Sequence, residues 1–151
     1  MSRPGAFTRV EVAIAVVAVA AWVALALPGY GDFVTRSKFT EAHRVLGDLY
    51  DGMEQYGEQS SYVGGPCAPT GAPSAQVKYF YFSCAPGEPT TETYTLLAVG
   101  KPGTDIEGLT YTVNHFWVRT TTIAPGSWMA DQGYPEDRTC WVDRRSGRCT
   151  R

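Results

Sequence analysis

A single carboxylate heads the longest apolar run of the chain. Glu11 is followed by Val12 to Leu27, sixteen residues without a charged or polar side chain. A carboxylate held at membrane depth costs about 2.5–3.5 kcal/mol, so Glu11 needs a cation. Its chemistry is ion pairing rather than catalysis, and Arg9 offers one partner within the chain. Four cysteines, Cys67, Cys84, Cys140 and Cys149, form the second chemical set. No C-x-x-C pair occurs and there are only two histidines, His43 and His115, so zinc-type ligand spacing is missing and no metal is expected. An even cysteine count behind an apolar export-like segment reads as two disulfides in an oxidising compartment. Order in sequence favours Cys67–Cys84 and Cys140–Cys149, one of three possible connectivities. The sequence contains no Ser/His/Asp set, no phosphate loop and no carboxylate pair. No catalytic residue, cofactor or enzymatic activity is expected.

The elements that position these residues follow from spacing. Phe39, Ala42, Leu46, Leu49, Met53 and Tyr56 recur at intervals of three and four, one apolar stripe on a helix. Glu41, Arg44, Asp48 and Asp51 take another face, and His43 is expected on the polar side. The spacing predicts one helix from about Thr8 to about Gln59, bent at Pro28 beside Gly29 and Gly31. Its first half is apolar all round and must be buried by lipid or by copies of itself. It is expected to span a membrane. A Gly/Pro-rich loop follows at residues 60–75. Strand signals come at Val77–Ser83, Glu92–Val99 and Leu109–Val118, separated by Pro-Gly turns. An antiparallel meander of three or four strands is expected, one face covering the helix stripe. His115 is placed in the last of these strands, beside Phe116 and Trp117. The chain from Thr120 to Arg151 looks irregular.

Composition bounds the partners. The 151 residues carry a net charge of −2, so the whole chain has no electrostatic footprint for nucleic acid. Removing residues 1–6 takes away Arg3 and no acid, which makes the charge −3. With only 19% charged residues, the surface fits an extracellular β-rich domain better than a cytosolic helical one.

The segment Gly5-Ala6-Phe7-Thr8-Arg9-Val10-Glu11, with Pro28 and Tyr30 further on, resembles the N-terminal signature of type IV pilins. In that family a short leader ends in Gly or Ala. The mature chain starts with a hydrophobic residue, usually Phe. Its fifth residue is Glu, and an apolar helix runs to a Pro with a Tyr two residues on. Asp32 to Lys38 continues the resemblance, which covers about residues 4–56. Arg9 departs from it, since the family usually has an apolar residue there.

The resemblance implies an α+β fold with a long N-terminal helix, half membrane-spanning and half amphipathic, packed on a C-terminal antiparallel sheet. It implies residues 1–6 as leader, 7–31 as the transmembrane or filament-core half and 32–151 as the globular domain. A prepilin peptidase would cut between Ala6 and Phe7, and Phe7 would be N-methylated. Glu11 would pair with the terminal amine of a neighbouring subunit, with Phe7, Glu11 and Pro28 as the assembly residues. The chain would wait in the inner membrane, meet the assembly platform there, and polymerise with its own copies and other pilins into an extracellular filament. Adhesion, twitching motility or DNA uptake are the implied services. A minor pilin and a type II secretion pseudopilin are the nearest alternatives; the C-terminal cysteines count against the latter, whose members commonly use calcium there. The Cys140–Cys149 loop contains Arg144, Arg145 and Arg148, with Arg138 and Arg151 beside it, so DNA or an anionic surface is a partner to test. From another class comes a monomeric secreted binding domain, with Ala24-Leu25-Ala26 as an ordinary signal-peptide cut.

Overall fold

The structure is a computed structural model. It describes residues 8–69 and 77–150, with backbone only for residues 24–29 and 32. The chain divides into two compact units, one ending at Val34 and one covering Thr35–Arg151. Helix α1 is Arg9–Gly57. Strands β1 (Phe80–Cys84), β2 (Thr95–Gly100), β3 (Leu109–Asn114) and β4 (Arg119–Ile123) follow, then a short helix α2 (Trp128–Asp131) and β5 (Asp137–Arg138). The strands make one antiparallel sheet in the order β1-β2-β3-β4-β5.

The membrane-spanning half of the expected fold needs correction. Among the described residues no helix is long and apolar enough to cross a membrane. The physical reason is length and charge. The uncharged run Val12–Leu27 is sixteen residues, ~24 Å at 1.5 Å per residue, against about 30 Å of hydrocarbon. Arg9 and Glu11 stand directly before it.

In the second unit, packing follows the two periodicities. Phe39, Ala42, Val45, Leu46, Leu49 and Met53 of α1 are buried, while Tyr56 of the expected stripe is exposed. Alternate strand residues meet them: Leu96 and Ala98, then Leu109, Tyr111 and Val113, then Thr121 and Ile123. Phe39 packs its edge on Tyr111 with ring centroids 6.0 Å apart. At Gly100 an added Cβ would lie 2.0 Å from the Ile106 carbonyl oxygen, so only glycine lets the β2–β3 connection approach.

The long aromatic run Leu109–Val118 is not one strand. It breaks at Asn114, whose side-chain oxygen accepts the Phe116 and Val118 N–H groups at 3.0 Å each. Trp117 then adopts a left-handed φ of 58°, and its N–H bonds the Asn114 carbonyl. An Asn side chain competing for backbone donors makes this a turn. His115 therefore sits in that turn, outside β3. The region after Thr120 is also more ordered than its sequence suggests. The buried Thr121 hydroxyl donates to the Cys140 carbonyl at 2.6 Å and accepts the Val142 N–H at 3.0 Å. The Tyr111 hydroxyl donates to the Val142 carbonyl at 2.6 Å. β4 itself joins β3 by a regular ladder, and these bonds hold the segment around Cys140 and Val142 onto it. Glu41, expected on a solvated face beside Arg44, instead accepts the backbone N–H groups of Lys78, Tyr79 and Phe80 and so anchors the entry to β1.

Candidate functional site: the helix start and an aromatic–cation cluster

The expected processing residues Ala6 and Phe7 lie outside the described residues. Glu11 is described, and its carboxylate faces its own chain. The Thr8 N–H donates to Glu11 Oε2 at 2.7 Å and the Thr8 hydroxyl donates to the same oxygen at 2.9 Å. The Glu11 N–H returns a 3.3 Å bond to Thr8 Oγ1. This is a capping box, in which residue types three apart satisfy each other's orphan donors at a helix start. Thr-x-x-Glu before an apolar run is its signature, and Thr8-Arg9-Val10-Glu11 carries that signal. Arg9 makes no ion pair with Glu11. Pro28 lies within the helical range of α1, among the residues described by backbone alone. Residues 8–23 are exposed without exception within their unit, with Ile14 at 65%, Val17 at 69% and Trp22 at 76%.

The four cysteines are joined as Cys67–Cys84 and Cys140–Cys149, with Cα atoms 5.0 and 5.7 Å apart. The second bond closes the segment held on β3 and β4. Asp143 of that segment lies 3.7 Å from both Arg36 and Arg144, so part of its basic charge is balanced locally. Among the described residues no group of histidines, cysteines and carboxylates could hold a metal ion.

A third constellation has no local signal in the sequence. His43, expected on the polar face, is half-buried and stacks flat on Trp141, centroids 5.1 Å apart and planes 8° off parallel. Its edge meets Tyr111 at 4.7 Å. The Trp141 indole N–H donates to the Thr112 carbonyl at 2.8 Å, which fixes the ring. Trp117, from the β3–β4 turn, packs against Tyr50 at 4.3 Å and Trp141 at 6.0 Å. The Arg119 guanidinium lies 5.4 Å from the Trp117 ring and 5.3 Å from the Trp141 ring. Burial pushes the His43 pKa down to about 4, and the Arg119 charge adds to the effect. No local pattern announces this cluster, because its members come from α1, the turn, β4 and the C-terminal segment. A second buried polar knot joins Tyr94, whose hydroxyl donates to Glu54 Oε1 at 2.6 Å. Burial, then Glu54, holds that phenol far above the ordinary tyrosine range.

The second unit is thus an α+β domain, one helix over an antiparallel meander, closed by two disulfides. No protein-family model matches this chain, and no curated protein or solved structure matches it either.

Proposed function

We propose that this chain is a subunit of a type IV pilus-like filament that polymerises through its N-terminal helix and serves adhesion, motility or DNA uptake. One observation carries the reading. From Val12 to Val23 the helix presents apolar side chains on every side and buries none of them within its unit. A helix apolar all round needs cover, and further copies of the same helix supply it. Glu11 at its start gives the packing a register. Thr8 holds the carboxylate in the free subunit, and the amine of a neighbouring Phe7 takes its place on docking. A carboxylate has about four acceptor sites, so the exchange need not strand a charge.

Mass spectrometry of the mature chain is the direct test. The filament reading expects a chain beginning at N-methylated Phe7, and loss of incorporation into filaments for Glu11→Ala with processing unchanged. The Thr8–Glu11 capping box favours a second reading, a secreted disulfide-bonded binding domain, because it gives Glu11 a use without any neighbour. A mature chain beginning after Ala26 would select that reading and dismiss the filament.

A further inference from the structure

We propose that Arg119, Trp117 and the turn before them form a binding site for a carboxylated saccharide, whose acid group the guanidinium takes in a forked pair while a pyranose face stacks on the exposed rings. This goes beyond the filament reading and does not rest on it, because every residue involved belongs to the second unit.

The first argument is the state of Arg119. Its guanidinium makes no hydrogen bond and no ion pair with any described residue; its contacts are the two tryptophan faces. No Arg119 nitrogen is among the buried polar atoms without a partner, so its five donors are open to the acceptors of a ligand. The indole faces satisfy the charge in part, yet they offer no acceptor for the N–H groups. A planar fork of this kind matches a carboxylate with two parallel bonds.

The second argument is space and rigidity. His43, Gly47 and Tyr50 follow one another along one side of α1 at helical spacing. His43 and Tyr50 make ring contacts to Trp141 and Trp117, while an added Cβ at Gly47 would meet nothing within 4 Å. The helix wall is therefore notched between its two aromatic residues. Across from it, Asn114 fastens the turn through four hydrogen bonds, and the turn holds Phe116 at 75% and Trp117 at 42% exposure. Large apolar rings on a fastened turn lose little entropy on binding.

The third argument selects the ligand class. The ring faces are electron-rich and suit the C–H face of a sugar. A cationic ligand is disfavoured by Arg119. A polyphosphate chain is disfavoured because the cluster offers a single cation in a chain of net charge −2. His43, held neutral by burial and by Arg119, adds no second charge.

The test is calorimetric titration of the full chain with oligogalacturonate, its methyl ester and a neutral galactose oligomer, with inorganic phosphate and an acidic peptide alongside. Binding of oligogalacturonate is expected, weakened at least about tenfold by methyl esterification and by Arg119→Gln. Arg119→Lys, which keeps the charge and loses the fork, should recover only part of the affinity. Trp117→Ala should weaken binding with an unchanged far-ultraviolet dichroism spectrum. If that variant unfolds, Phe116→Ala at the exposed tip takes its place. Equal affinity for the acid and its ester overturns the proposal, as does Arg119→Gln with undiminished affinity. No binding of oligogalacturonate at millimolar concentration overturns it too. Binding of only the peptide or only phosphate would replace the saccharide by that ligand.

Discussion

The two units of the chain handle apolar residues in opposite ways. In the second, Phe39 and Leu46 are 1% and 0% exposed, and the buried hydroxyls of Thr35 and Thr121 have partners in Asp105 and in Cys140 and Val142. In the first, Val10, Val16 and Trp22 are 67%, 62% and 76% exposed, and the described polar contacts are those of the helix start. The same residue types therefore do different work. One set holds a domain together and the other is available to other molecules. The stability of the second unit should be insensitive to substitutions in the first.

Substitution on both sides of the division gives the largest expected contrast. Phe39→Ala should cost about 3–5 kcal/mol of unfolding free energy, a large core truncation. Val16→Ala should stay within about 0.5 kcal/mol, as an exposed change does. Urea unfolding followed by circular dichroism measures both. A Val16→Ala cost near that of Phe39→Ala would mean that the apolar segment belongs to the same cooperative core.

Opening the C-terminal closure should come next. Cys140→Ser with Cys149→Ser frees a loop of about ten residues, worth roughly 3 kcal/mol on the chain-entropy model. Trp141 and Val142 would keep their bonds to β3 and β4, so the unfolding midpoint should fall without loss of the fold. Non-reducing peptide mapping checks the pairing itself, and a fragment joining Cys67 to Cys140 would contradict it.

The smallest expected effect concerns His43. Its folded pKa is about 4, below the ordinary 6.5. As pH falls, the unfolded chain takes up this proton first. The contribution is fully present above pH 6.5 and is lost between there and about pH 4, at up to ~1.4 kcal/mol per pH unit. Between pH 7 and pH 5 the native protein should lose about 1–2 kcal/mol that a His43→Phe variant keeps. Parallel pH profiles for the two proteins would place His43 in solvent and dissolve the stack on Trp141.

Much of the helix, the first three strands and both disulfide pairs could be read from local pattern. Phe39 to Met53 repeats with the helical period, and Glu92 to Val99 is rich in β-branched and aromatic residues. The cysteine order already favoured the pairs Cys67–Cys84 and Cys140–Cys149 that the structure contains. The Thr-x-x-Glu signal of a capping box also stands at Thr8 and Glu11, but an acid before an apolar run suggests an ion pair with Arg9 or with a neighbouring chain instead. β4, the turn at Asn114 and the segment around Trp141 were not legible. β4 joins β3 by a regular ladder, but its threonine-rich run shows no apolar alternation; the turn and the Trp141 segment are ordered by side chains such as Thr121, Asn114 and Tyr111 bonding to backbone, and such bonds leave no periodic trace.

The sequence by itself determined where apolar side chains concentrate, which cysteines could pair, and where one helix stripe would seek a sheet. These follow from near neighbours along the chain, whose relative placement the backbone dictates. Only the tertiary structure decided that Glu41 would anchor β1, that Tyr94 would bond Glu54, and that Arg119 would lie against Trp117 and Trp141 without an acid. Those pairings join residues far apart in sequence. Burial sets their value, since a hydrogen bond or a charge counts for more where water is excluded, and burial exists only once the sheet has closed over the helix.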